Sequence, residues 1–141
     1  MTIYQLPEPT QKELFDVLEL AIQLIDENRI DNVYDGQGIP FHYLRDRDRL
    51  QDCYKKDEII DEEIYLDIVY DCLCFAQGDL PSSYKRPEEE ICKGHKEAKG
   101  LRMWAFSVQH DDFLRKVYTK FCIRENSAGG RYIHIDCHTK P

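Results

Sequence analysis

Two short segments near the end of the 141-residue chain carry side chains capable of acid–base and phosphate chemistry. Residues 116–124 and 131–139 are rich in aromatic and β-branched residues, which predicts two β-strands. Because side chains alternate between the faces of a strand, one face of this pair is mainly apolar and the other is polar. The polar face holds the imidazole, phenol and charged groups of Tyr118, Lys120, Arg124, Tyr132, His134, Asp136 and His138. We expect these groups to converge in one outward hollow without a surplus of acidic neighbours.

Groups of these types can cleave RNA without a metal or another cofactor. A base takes the proton of the ribose 2′-hydroxyl, the oxygen attacks phosphorus, and an acid protonates the departing 5′-oxygen. Two histidines on one strand face could exchange these protons near neutral pH. We therefore predict His138 as general acid or base and His134 as the second proton-transfer group.

The remaining groups would bind the RNA. Positive charges stabilise the charge that grows on the phosphate, which assigns Lys120 and Arg124 to phosphate contacts. Aromatic rings stack on unpaired bases, the common way in which RNA is held. The aromatic candidates for base contacts are Tyr118, Tyr132 and Trp104. RNA is thus the expected partner.

The elements that must position these residues can be read from periodicity. Thr10 and Glu13 form a capping-box pattern before a 3.6-residue apolar repeat, which predicts a helix over about 11–27. A second helix is predicted over about 61–77, ending at Gly78. Residues 101–108 add a third strand, whereas residues 79–90 predict an exposed loop. The alternating charges of residues 45–49 predict a solvated helix start or loop with no function. We predict one α+β domain over residues 1–141, with N-terminal helices packed on one face of a C-terminal antiparallel β-meander.

Charge divides the chain into two parts. Residues 1–92, mainly helical, contain 22 acidic and 9 basic side chains, whereas residues 93–141, the predicted meander, contain 5 acidic and 10 basic ones. A basic segment can collect phosphate if its charges fold onto one surface. The acidic part supports an alternative function, an acidic interaction protein without catalytic activity, such as an immunity protein or a phage-type inhibitor of a basic nuclease or nucleic-acid-binding protein. Its expected binding patch contains Asp16, Glu19, Asp61, Glu62 and Glu63.

Composition also bears on location. Mean hydropathy is −0.61 and charges interrupt every apolar run, so no membrane-spanning segment is expected. The first ten residues lack the pattern of a secretory signal, which favours a cytoplasmic protein with six reduced cysteines.

One metal site is an open alternative. Cys92, His95, His134 and Cys137 have spacings that could place two sulfurs and two nitrogens around zinc. The predicted strand disfavours it, because His134 and Cys137 fall on opposite faces. We expect no metal and no cofactor.

The last 60 residues or so contain three short motifs, one after another in the chain. They are Asp79 with Ser83-Tyr84-Lys85, then Val117-Tyr118-Thr119-Lys120, then Asp136-Cys137-His138-Thr139-Lys140. This order resembles the MqsR-type messenger-RNA interferase toxins, relatives of RelE among small bacterial ribonucleases. The resemblance implies roles at the active site for Lys85, Tyr118 and His138. It also implies a curved sheet flanked by helices and a protein antitoxin that masks the site.

Overall fold

Three helices precede three strands in the computed structural model, which describes residues 6–30, 41–92 and 99–139. The elements are α1 (Gln11–Asp26), α2 (Phe41–Cys53), α3 (Glu62–Gly78), β1 (Trp104–Val108), β2 (Val117–Glu125) and β3 (Arg131–Thr139). The strands form an antiparallel sheet in the order β1-β2-β3. This order confirms the predicted α+β fold, with helices first and a meander after them.

The ends of α1 and α3 follow from local hydrogen bonds. The Thr10 hydroxyl accepts from the Glu13 N–H at 3.1 Å, and the Glu13 carboxylate accepts from the Thr10 N–H at 3.2 Å. This reciprocal pair is the predicted capping box. At the start of α3, the Asp61 carboxylate accepts from the Ile64 N–H at 2.8 Å. Both helices agree with the predicted ranges to within one residue at each end.

The helices cover one face of the sheet. Phe106, Phe121 and Ile135, one from each strand, are buried in a core that also takes Leu18 from α1 and Leu73 from α3. The core therefore draws residues from both the acidic and the basic parts of the chain. Its burial removes apolar surface from water and holds the helices against the sheet. We call the opposite face of the sheet the outer face. It carries the polar groups and is covered at Cys122 by a second, smaller apolar cluster with Cys92, Met103 and Leu101.

The alternating-charge segment has a different structure from the one predicted. Residues 45–49 lie inside α2, and Asp46 is only 1% exposed. Its Oδ2 accepts from the Tyr65 hydroxyl at 2.9 Å and from the Cys137 N–H at 2.7 Å. The prediction of a solvated segment was wrong at Asp46, because tertiary packing supplies donors that a periodic pattern does not reveal. Through this contact α2 satisfies a backbone group of β3.

The predicted exposed loop also contains paired backbone. The Lys85 N–H donates to the Ala105 carbonyl at 2.9 Å, and the Ser107 N–H donates to the Ser83 carbonyl at 2.8 Å. Residues 83–85 thus pair with β1 around a single antiparallel bridge, Tyr84 to Phe106, and Ser83 is 1% exposed. The prediction was wrong here because strand pairing is a long-range contact. The pairing sets Lys85 beside Ala105.

Candidate functional site

The register of β2 and β3 brings the predicted polar residues into four rows on the outer face. The rows are Tyr118 opposite His138, Lys120 opposite Asp136, Cys122 opposite His134, and Arg124 opposite Tyr132. Cys122 is buried, and the other seven side chains are partly exposed. The face assigned to these residues from alternation alone is therefore confirmed by the register.

Tyr118 and His138 form the closest aromatic pair of this face. Their ring centroids are 5.6 Å apart and the rings are tilted by 41°. The Nδ1 of His138 lies 3.3 Å from the Thr139 carbonyl oxygen. A carbonyl only accepts, so a hydrogen bond here requires the proton on Nδ1 and leaves Nε2 of the neutral ring able to accept a proton. The arrangement suits a general base.

Acidic groups approach the pair more closely than the sequence led us to expect. Burial, followed by the negative charges of Asp136 and Glu88, raises the pKa of the Tyr118 hydroxyl above its usual value. Tyr118 therefore keeps its proton at neutral pH and can donate a hydrogen bond. Glu88 lies in the segment that follows residues 83–85, so no pattern within β2 or β3 could have placed it there. The outer face has mixed charge rather than uniform positive charge.

Two lysines lie at the level of the second row, Lys120 within the row and Lys85 on the far side of β1. Lys120 is diagonal to His138, and diagonal neighbours across an antiparallel pair have Cα atoms roughly 7–8 Å apart. Its flexible side chain can reach a group bound between Tyr118 and His138. Lys85, beside Ala105, is exposed and lies in line with Lys120 two strands away, a separation of roughly 10 Å. Both can contact one extended polyanion.

His134 is not close to His138. The two residues are four positions apart on β3, which corresponds to about 13 Å along the strand. The Nε2 atom of His134 is also buried. One phosphodiester is too small to contact both imidazoles at that distance, so the structure does not bring His134 to His138 as the second proton-transfer group. The alternation of side chains showed that both histidines lie on one face, but it did not show that both can contact one phosphate.

Trp104 lies on the other side of the sheet. It pairs with Phe121, whose side chain belongs to the helix-covered core, and it packs against that core. The Arg102 guanidinium lies 4.4 Å from its ring centroid. Trp104 therefore does not join the polar rows. The sequence could not assign its side chain to a face, because the faces of the first strand are defined only by its register with β2.

Arg29 is a residue of this face that sequence reasoning missed. Its guanidinium lies 5.9 Å from the centroid of the Tyr132 ring, and that of Arg124 lies 5.3 Å from the same centroid. Arg29 follows the end of α1, and its carbonyl accepts from the Ile133 N–H at 3.0 Å. This backbone contact ties the residue to the edge of β3. No local sequence signal marks it.

The zinc alternative has no support among the residues that the structure describes. Within them no group of three or more His, Cys, Asp or Glu side chains could hold a metal ion. Cys137 is fully buried on the helix-covered face, where its sulfur lies 3.7 Å from the Thr119 hydroxyl, and His134 lies on the outer face. His95 falls outside the described ranges.

The exposed side of the helical layer is strongly acidic. Together α1 and α3 carry eight carboxylates and a single lysine, Lys12, which pairs with Asp16 at 2.7 Å. Glu19 accepts from Gln77 at the end of α3, whereas residues 61–63 lie at its start, roughly 22 Å away. The five residues predicted as one patch thus lie at both ends of α3. Asp26 and Asp67 line a cleft of about 430 Å³ between the two helices.

In the described parts of the chain, no helix has the length and apolar character needed to cross a membrane. No protein-family model matches the chain, and neither the curated proteins nor the solved structures contain a match.

Proposed function

We propose that the protein is a cytoplasmic, metal-independent endoribonuclease of the toxin–antitoxin type that cleaves RNA on the outer face of its sheet. The observation that supports this most is the Tyr118–His138 pair, with ring centroids 5.6 Å apart and Lys120 as the diagonal neighbour of His138. A base, a hydrogen-bond donor and a cation are the three groups that cleavage by the 2′-hydroxyl requires.

Each residue has a role in this proposal. His138 accepts the 2′-hydroxyl proton at Nε2, and the 2′-oxygen then forms a bond to phosphorus. Tyr118, a phenol that is protonated at neutral pH, donates to the 5′-oxygen as the P–O5′ bond breaks. Lys120 stabilises the charge on the phosphate. The products are a 2′,3′-cyclic phosphate and a 5′-hydroxyl.

RNA binding extends beyond these groups. Lys85 and Arg124 would contact flanking phosphates, and Tyr132 an unpaired base. His134 binds rather than transfers protons, since it lies about 13 Å from His138. As a toxin-type enzyme, the protein would have an antitoxin that covers this face.

The test is incubation of purified protein with single-stranded RNA in EDTA. We expect His138→Ala to slow cleavage by about 10²-fold or more. Lys12→Ala, on the helical layer where the side chain is 85% exposed, should leave the rate unchanged and serves as the control. Thermal unfolding of each variant verifies the fold. Intact RNA with the parent protein, or equal cleavage by His138→Ala, would refute the proposal.

The acidic helical layer supports a second candidate, a protein that binds a basic partner without catalysis. Phe15, Tyr70 and Phe75 are 47%, 37% and 45% exposed on the same two helices. Exposed aromatic rings among carboxylates suit a basic protein surface. We expect a fluorescent lysine-rich peptide to bind the parent, and the double variant Asp26→Lys, Asp67→Lys to bind it at least about 10-fold more weakly. Asp57→Lys, outside these helices, is the control. Equal affinities for all three proteins, or none for the parent, would exclude this candidate.

A further inference from the structure

The end of the outer face farthest from His138 carries a cluster of guanidinium groups around one aromatic ring. Arg29 and Arg124 lie 5.9 and 5.3 Å from the Tyr132 ring centroid. The two cations come from different segments, the end of α1 and β2, so only the folded chain brings them together. We call Arg29, Arg124 and Tyr132 the arginine end. Arg131 is exposed, but strand alternation directs its side chain to the helix-covered face.

The backbone that supports the arginine end is well defined. The Asn126 Oδ1 accepts from the Ala128 N–H at 3.0 Å and from the Gly130 N–H at 2.8 Å, which closes the turn between β2 and β3. A φ of +85° at Gly129 gives this turn a backbone conformation that glycine adopts without strain. The turn therefore sets the register that places Tyr132 opposite Arg124.

Space for a ligand exists beside Arg29, at the edge of β3. A cleft of about 330 Å³ on the α1 side of this edge is lined by Arg29, Arg131, the turn glycines and residues of α1, and not by Tyr132 or Arg124. The Arg29 side chain is 46% exposed. One carboxylate competes for it, because Glu27 lies 3.5 Å from the Arg29 guanidinium. A bound phosphate would have to compete with this weak surface pair.

We infer that the arginine end is a nucleotide-binding subsite for single-stranded RNA, separate from the cleavage position; this inference rests on the proposed function. Guanidinium planes and a phenol ring provide flat surfaces on which unpaired bases stack, and the remaining N–H groups donate to phosphate oxygens. Six residues separate Tyr132 from His138, about 20 Å along β3. The row between them is covered at Cys122 by an apolar cluster with Cys92, Met103 and Leu101. A substrate that occupies both positions is therefore a strand of several nucleotides that passes around this cluster, and a dinucleotide reaches only one of them.

Binding measurements with the non-cleaving variant His138→Ala test the inference. Fluorescence anisotropy would compare labelled RNAs of two, four, six and eight nucleotides, together with an eight-base-pair duplex. We expect affinity to rise up to about six nucleotides and the duplex to bind less tightly than the single strand. Adding Arg29→Ala should weaken binding of the octamer by about 5- to 150-fold, the range for one lost stacking contact, and weaken the dinucleotide less, because a dinucleotide can still occupy the cleavage position alone. The slope of log K against log salt should decrease by about 0.7.

Two further variants sharpen the experiment. Glu27→Gln should strengthen octamer binding, because it removes the carboxylate beside Arg29. Lys12→Ala, an exposed cation on the helical layer, should change octamer binding less than 2-fold. Equal effects of Arg29→Ala on dinucleotide and octamer, or no effect on either, would overturn the inference, as would absence of RNA binding.

The two proposals can fail separately. Cleavage by the parent protein with no dependence on Arg29 or RNA length would refute the subsite and leave the nuclease in place. Length-dependent binding that Arg29→Ala abolishes, with no cleavage by the parent, would refute the nuclease and leave the subsite.

Discussion

Asp46 offers the sharpest test of how the sheet is held in place. Its buried Oδ2 accepts from the Tyr65 hydroxyl and from the Cys137 N–H at 2.9 and 2.7 Å. Asp46→Ala leaves two buried donors without this acceptor, and each unsatisfied buried group costs about 1–3 kcal/mol. We expect the free energy of unfolding to fall by about 2–6 kcal/mol, a large part of the 5–15 kcal/mol typical of a domain.

Urea denaturation followed by circular dichroism measures this loss. With an m-value of about 2 kcal/mol/M, a loss of ~3 kcal/mol moves the midpoint down by roughly 1.5 M. Asp48→Ala is the matched control, since it removes a carboxylate from the same helix where the side chain is 85% exposed. That variant should change stability by less than about 0.5 kcal/mol.

The comparison of the two variants decides the matter. If Asp46→Ala unfolds within about 0.5 kcal/mol of Asp48→Ala, the buried carboxylate does not stabilise the contact between α2 and β3. A changed m-value would show instead that the variant alters the compactness of the native or the unfolded state. The shift in midpoint could then not be converted to a free energy of lost hydrogen bonds.

Three other outcomes follow from the structure. Lys120→Ala should lower the rate of RNA cleavage by at least about 10-fold in a gel assay, whereas Lys12→Ala on the helical layer should not, and equal rates would remove Lys120 from the site. Burial and then the charge of Asp46 raise the pKa of the Tyr65 hydroxyl well above its usual value, so above pH ~10 the folded state holds a proton that the unfolded state has lost. The free energy of unfolding should therefore fall as pH rises through that range, and denaturation at several alkaline pH values should show a shallower fall for Tyr65→Phe; identical slopes would contradict the assignment. Thr10→Ala removes the acceptor of the α1 cap and should cost about 1 kcal/mol in urea denaturation, with no loss if the cap is dispensable.

Local patterns were sufficient for α1, α3 and the three strands, whereas α2 was not predicted as a helix. The capping box of Thr10 and Glu13 and the apolar repeat behind it are contained within one segment, so α1 could be predicted to within a residue at each end. The alternation of β2 and β3 likewise determined which side chains share a face, because a strand has a period of two residues. These properties depend on neighbours in sequence and on backbone geometry alone.

Distances between groups on that face required the folded chain. Glu88 beside Tyr118 and Arg29 beside Tyr132 come from outside the meander, and His134 proved to be about 13 Å from His138. Asp46 is of a type that is usually solvated, yet it is buried and accepts hydrogen bonds from donors on α3 and β3. Periodicity identifies the side of an element that faces the core, whereas the identity of the group opposite each side chain is set by contacts between residues far apart in the chain. Whether His138, Lys120 and Tyr118 act on one phosphate therefore depends on tertiary structure, while their presence on one face was determined by the sequence.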